Sequence, residues 1–210
     1  MTVRRIRSIA TALLLVWADV GICAVSRSQA PPPPPPPALD YSPAKWPRFT
    51  FESGRFTACF PGKPSESVES SGSAIVPDTH VVEYKGLLSY GVRYSDIGRQ
   101  IDEKSKVRDL LQGIKSAMIQ AIKSAMIKAD KEPDIKLVEQ RTVEVQGYEG
   151  LYFQLDEGDR RTMRVELVPV GSRLYMISVE GHRGFPREME GQDNFAKIAA
   201  GFIGSFQITP

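Results

Sequence analysis

Two histidines are the chain's only imidazoles, and each follows an acid by two residues: Asp78 precedes His80, and Glu180 precedes His182. Imidazole nitrogens and carboxylate oxygens are ligands for zinc-like metals, and they are also the partners of general acid–base hydrolysis. One candidate chemistry is therefore a metal-dependent or hydrolytic site drawn from His80, His182 and nearby acids. Its spacing is unsupported, because no His-x-x-x-His or Cys-x-x-Cys pattern accompanies it. His182 lies in a glycine-flanked stretch, Gly181-His182-Arg183-Gly184, which reads as a loop. The expected state of both residues is a solvated loop or edge histidine.

The remaining reactive types lead to quieter readings. Cys59 lies in Arg55-Phe56-Thr57-Ala58-Cys59-Phe60, a β-prone run, and reads as a buried structural thiol. Cys23 falls in the N-terminal leader, so the domain is expected to fold without a disulfide. A nucleophile elbow would need Gly-x-Ser-x-Gly, and a phosphate loop would need its own Gly-x-x-x-x-Gly-Lys; neither occurs. Asp156-Glu157-Gly158-Asp159 reads as a solvated hairpin tip rather than a glycosidase dyad. Arg160, Arg161 and Arg164 read as surface partners for those acids. Tyr84, Tyr90, Tyr94, Tyr152 and Tyr175 could line a pocket, but are expected to pack with exposed tips. No catalytic, cofactor or metal residue is assigned.

What must hold these residues begins with a leader. Met1 to Ser26 reads as a signal peptide, with Arg4, Arg5 and Arg7 ahead of a short apolar stretch containing Leu13 to Trp17. Ala24-Val25-Ser26 suits cleavage before Arg27. Val20-Gly21-Ile22-Cys23 offers a second exit, with Cys23 as a lipid-attachment residue, although Ile22 stands where a small residue is expected. Residues 27–45 read as a disordered spacer. Within it, Pro31 to Pro37 is an unbroken proline run, which favours polyproline II over core packing. Setting aside Arg4, Arg5, Arg7 and Asp19 leaves 24 basic and 24 acidic residues, so no general electrostatic footprint for nucleic acid or an anionic membrane remains.

Residues 46–210 read as one α+β domain. Phe56 to Phe60 runs into a Pro61-Gly62 turn, and Glu66 to Ser70 suggests a short strand. Thr79 to Tyr84 and Leu88 to Ser95 form a hairpin, whose second arm alternates Leu88, Tyr90, Val92 and Tyr94 with polar or small residues. Apolar residues recur at helical spacing over Asp102 to Ala129. There, Ile114-Lys115-Ser116-Ala117-Met118-Ile119 returns as Ile122-Lys123-Ser124-Ala125-Met126-Ile127, a shift that turns the two copies to different sides of the helix. Four strands follow, over Ile135 to Val145, around Leu151 to Leu155, Arg161 to Val170 and Arg173 to Glu180. Gly171-Ser172 is a glycine-first hairpin turn. A second helix is expected over Gln192 to Phe202, with Gly201 and Gly204 marking its end, and Ser205 to Ile208 closes as a strand. Short links between strands argue for an antiparallel sheet with two helices packed on it.

Five segments taken in order carry a resemblance. They are Phe60-Pro61-Gly62-Lys63-Pro64, Tyr90-Gly91-Val92-Arg93-Tyr94-Ser95-Asp96, Gly147-Tyr148-Glu149-Gly150, Gly171-Ser172-Arg173-Leu174-Tyr175 and Ser205-Phe206-Gln207-Ile208. Together they resemble exported bacterial domains of PsbP-like fold, including DcrB-type lipoproteins. The resemblance implies an α/β/α sandwich and an accessory role rather than an activity. The expectation is a periplasmic or secreted, monomeric, non-catalytic module without a cofactor. It would bind an unidentified envelope protein or small ligand, and would reach a membrane only through a lipid on Cys23.

Overall fold

A computed structural model describes residues 42–70, 78–97, 104–129, 134–158, 161–182 and 192–210. The leader, the proline run, Asp102, Glu103, Asp159, Arg160 and the Arg183-Gly184 pair lie outside them. The described residues fall in a single unit, Leu39–Pro210.

Among the described residues, ten strands form two antiparallel sheets. The smaller has the order β1–β2–β10, from Arg48–Phe51, Phe56–Cys59 and Gln207–Ile208. The larger has the order β3–β4–β5–β9–β8–β7–β6. Its strands are β3 (Ser65–Glu69), β4 (Thr79–Lys85), β5 (Leu88–Asp96), β6 (Lys136–Val145), β7 (Tyr148–Asp156), β8 (Arg161–Val170) and β9 (Arg173–His182). The expected single sheet is thus two. The extra strand β1 was hidden by its length of four residues, too few for alternation to register.

Alternation sends successive side chains to opposite faces. In β9, Tyr175, Ile177 and Val179 enter one core, while Leu174 and Met176 pack against the other. The first core lies under α2 (Gln192–Ser205) and the small sheet, and joins Phe56, Phe60, Tyr90, Val92, Ile198 and Phe202. The second lies under α1 (Lys104–Lys128) and joins Leu111 to Leu151, Phe153, Val165 and Leu167. The large sheet is therefore covered on both faces, as a sandwich requires. Among the described residues, no helix is long and apolar enough to cross a membrane.

The repeated helix segment follows its shift only in part, because Ile114 and its counterpart Ile122 both pack against the second core. Ile119 of the first copy packs against the second core, whereas its counterpart Ile127 is 63% exposed. The two outer strands carry charge: Glu66 and Glu69 on β3, and Lys136, Glu139, Arg141 and Glu144 on β6. β6 also has a bulge between Leu137 and Glu139. Charges and bulges are common guards against edge-to-edge pairing.

Two ends differ from the sequence reading. Helix α2 continues through Gly201 and Gly204 to Ser205. Gly201 is there for close approach, since a Cβ would lie 2.5 Å from the Pro43 ring. Pro43–Lys45 forms a 3-10 turn at this point, so packed chain begins just ahead of Trp46. Ser205 ends the helix by donating to the Phe202 carbonyl at 2.6 Å and accepting from the Cys59 N–H at 3.0 Å.

Candidate functional site

The strand register separates the two histidines. His80 pairs with Tyr94, and Tyr94 pairs with Tyr175. His182 is the last residue of β9, opposite Arg161, and not part of a loop as its glycines suggested. It lies seven residues beyond Tyr175, about 23 Å at the usual strand rise. One ion or one substrate bond cannot be shared by both imidazoles. His80 instead stacks on Tyr94, with ring centroids 4.7 Å apart and planes 7° from parallel. Glu180 is engaged elsewhere. No metal-holding cluster of His, Cys, Asp and Glu occurs among the described residues.

The hairpin-tip acids also depart from expectation. Glu157 is buried, and grips Arg161 at 2.6 Å, while Arg161 reaches Glu180 at 2.9 Å. This is a part-buried network, not surface pairing. Burial alone would lower the Arg161 pKa, but Glu157 and Glu180 outweigh it and hold the guanidinium more firmly charged. The Arg164 guanidinium lies 5.3 Å from the centre of the Phe195 ring and donates to the Ala196 carbonyl at 3.3 Å. A gap of about 380 Å³ separates the Glu157–Arg161 pair from Ala121, Ile122, Ala125 and Met126 of α1.

Two tyrosine hydroxyls are spent on the fold. Tyr90, Tyr94, Tyr152 and Tyr175 are buried along their whole length, not only at the ring. Tyr175 donates to the Gly54 carbonyl at 2.8 Å, and the Tyr94 hydroxyl meets Ser53 Oγ at 3.0 Å. Cys59 is buried, as its strand position implied. Tethering the β1–β2 turn to the large sheet in this way fixes where that turn's other residues point.

Four chain segments then converge on a cleft of about 840 Å³. The β1–β2 turn contributes Arg55, the β6–β7 turn Gln146 and Tyr148, the β8–β9 turn Gly171 and Ser172, and the chain after β10 Thr209 and Pro210. Val170, Arg173, Tyr175, Ile208 and Asp96 complete the lining. The volume is in the range of small-molecule sites. Apolar surface from Tyr148, Val170, Ile208 and Pro210 lies beside a few polar groups.

Backbone strain gathers at the same place. Among the described residues, the non-glycine residues with positive φ are Arg55 at 52° and Gln146 at 50°, and both line the cleft. Such conformations cost roughly 1 kcal/mol or more and tend to mark sites where surrounding structure enforces them. For Gln146 the enforcement is visible. With Gly147 at φ 88° it makes a two-residue hairpin turn of the primed type. Its side-chain amide then accepts from the Ile208 N–H at 2.6 Å and donates to the Ile208 carbonyl at 3.4 Å. The amide thereby completes the outer edge of β10.

The cleft's charges are unequal in freedom. Arg173 donates to both carboxylate oxygens of Asp96, at 2.8 and 3.2 Å, and to the Ser53 carbonyl at 2.9 Å. The hydrogen bond from Arg173 holds the Asp96 carboxyl below its ordinary pKa, and outweighs its partial burial. That pair is neutral and fixed. Arg55 is exposed, and among the described residues its guanidinium has no ion pair. Arg55 and Gln146 escape sequence reasoning because neither has a turn-former's identity. The one available signal was Gln146 standing before Gly147, where Asn would be usual.

No family model and no curated protein matches the chain. Solved structures do. The solution structure of cyanobacterial PsbP from Synechocystis sp. PCC 6803 matches with 14% identity and a TM-score of 0.51, over 77% of this chain and 91% of that one. A crystal structure of a protein from Bacteroides thetaiotaomicron has 14% identity and a TM-score of 0.39, over 78% of this chain and 48% of that one, too distant to carry an argument. The chain has a PsbP-like α+β fold, with two helices packed on antiparallel sheets. At this identity the likeness speaks for the fold and for nothing finer.

Proposed function

We propose that this chain is an exported accessory or binding module of the cell envelope, which engages its partner through the cleft between its hairpin turns. The observation that carries the reading is the convergence, among the described residues, of the two left-handed non-glycine residues on one concave surface built from separate segments of the chain. A fold that holds strain at one rim is organised around that rim. The cleft's acid and the Tyr175 hydroxyl are committed to Arg173 and to the Gly54 carbonyl, which suits holding a ligand better than transforming one. The leader-like N-terminus and the proline run support export and a stand-off from an anchoring point. The likeness to PsbP, at the level of fold, supports an accessory part.

Filling the cleft tests this. Ser172 is exposed in the β8–β9 turn, so Ser172→Trp should obstruct the cleft while leaving both cores intact. Envelope components recovered with the wild-type chain should be lost with Ser172→Trp and retained with Gln140→Ala on the far edge strand. Equal recovery with all three would remove the cleft from the account. Mass determination of the mature N-terminus tests export: a chain starting at Arg27 or a lipidated Cys23 supports it, and an intact Met1 leader contradicts it.

A further inference from the structure

We infer that the cleft takes a small ligand with an anionic head, carboxylate or phosphate, bound by the Arg55 guanidinium, with the ligand's less polar body on Tyr148 and Pro210. The inference rests on the cleft being the binding site.

Charge selects the head. Arg55, Asp96 and Arg173 are the charged side chains that line the cleft. Asp96 and Arg173 neutralise each other through a two-pronged pair, and the depressed Asp96 pKa keeps that pair formed at neutral pH. Among the side chains that line the cleft, the surplus is one positive charge, on Arg55. A planar guanidinium presents paired N–H donors that match two oxygens of a carboxylate or phosphate.

Position argues the same way. Arg55 has a left-handed φ of 52°, where glycine or asparagine would sit with less strain. Its backbone is held by its N–H to the Glu52 carbonyl at 3.1 Å and by its carbonyl accepting from Thr209 at 2.9 Å. Those bonds need no side chain, so they explain the conformation without explaining the arginine. The place of Arg55 on the lining accounts for it.

Apolar surface selects the body. Tyr148 keeps 40% of its surface exposed, while Phe49 and Tyr84 are partly buried and the other large aromatics of the strands are buried. Val170, Ile208 and Pro210 lie on the same lining. A flat ring or short hydrocarbon placed there would cover surface that the fold leaves open.

Phenyl phosphate, phenylacetate, inorganic phosphate and benzyl alcohol are suitable probes, titrated into the full-length chain at about physiological salt to suppress unspecific surface attraction. Amide resonances of Gly171, Ser172 and Thr209 report the cleft. The two aromatic anions should give saturable shifts there. Arg55→Gln should weaken them about tenfold or more, the size expected for a charge-assisted hydrogen bond. Lys63→Gln, at an exposed residue outside the cleft, should leave them unchanged, with all three proteins equally heat-stable. Phosphate and carboxylate arms separate the two head chemistries, and inorganic phosphate alone should bind more weakly than phenyl phosphate. Equal binding of benzyl alcohol and phenyl phosphate at these amides, or indifference to Arg55→Gln, would overturn the anionic head while leaving the cleft as the site. Saturable shifts confined to other surfaces would overturn both.

Discussion

Glu166 stands between Val165 and Leu167 in β8, yet alternation points it to the opposite face, beside Ile177 and Tyr152 across the neighbouring strands. It is 7% exposed, and burial pushes its pKa from 4.5 to about 7, with the Arg141 guanidinium pulling the other way. A carboxyl whose pKa is higher folded than unfolded weakens the fold as it ionises. Below pH 4.5 it is protonated in both states and nothing is lost. Stability should fall between pH 4.5 and about 7, and stay reduced above that, by up to roughly 3 kcal/mol. Glu166→Gln should therefore be the more stable protein at pH 8, by roughly 1–3 kcal/mol, and no more stable at pH 4. Urea unfolding at both pH values checks this; parallel stability profiles for the two proteins would contradict it. The sequence showed Glu166 only as a polar member of an alternating strand. Which face received α2 and the small sheet was decided by residues far along the chain.

Glycine in a helix normally weakens it by about 1 kcal/mol relative to alanine, so Gly201→Ala in α2 should on propensity alone be stabilising. The fold reverses this, because the added Cβ would meet the Pro43 ring at 2.5 Å. Gly201→Ala is expected to destabilise the wild-type chain by about 1–2 kcal/mol and to become neutral or stabilising once Pro43→Gly clears the space. Thermal unfolding of the four proteins of this cycle measures the coupling; additivity would mean that the turn and the helix do not press on each other. This contact shows why the end of α2 was misplaced at the sequence level. Two glycines after an amphipathic run signal a C-cap, unless a distant segment needs the room. Elements with regular patterns were legible: β5 through Leu88, Tyr90, Val92 and Tyr94, and α1 through its apolar stripe. The short β10 falls within the expected Ser205 to Ile208 strand, whereas β1, four residues long, depends on its partner rather than on pattern.

At the scale of the molecule, the antiparallel sandwich follows from hydrophobic period and short links, and the PsbP-like order of segments was readable before any coordinates. The cleft was not. Its lining comes from residues 55, 96, 146, 148, 170–173, 175 and 208–210, which are far apart in sequence. Its strained residues carry ordinary identities, Arg and Gln, whose backbone angles no composition reveals. The histidines, the most conspicuous candidates in sequence, are separated by the same register that assembles the cleft. The account stands on that concave surface being where ligands go. Crystals of the domain soaked with a chemically diverse set of fragments test it most directly. Bound fragments should collect against Arg55, Tyr148 and Ser172; fragments that instead gather in the gap beneath α1, beside Met126 and Arg161, with the turn cleft left bare, would contradict it.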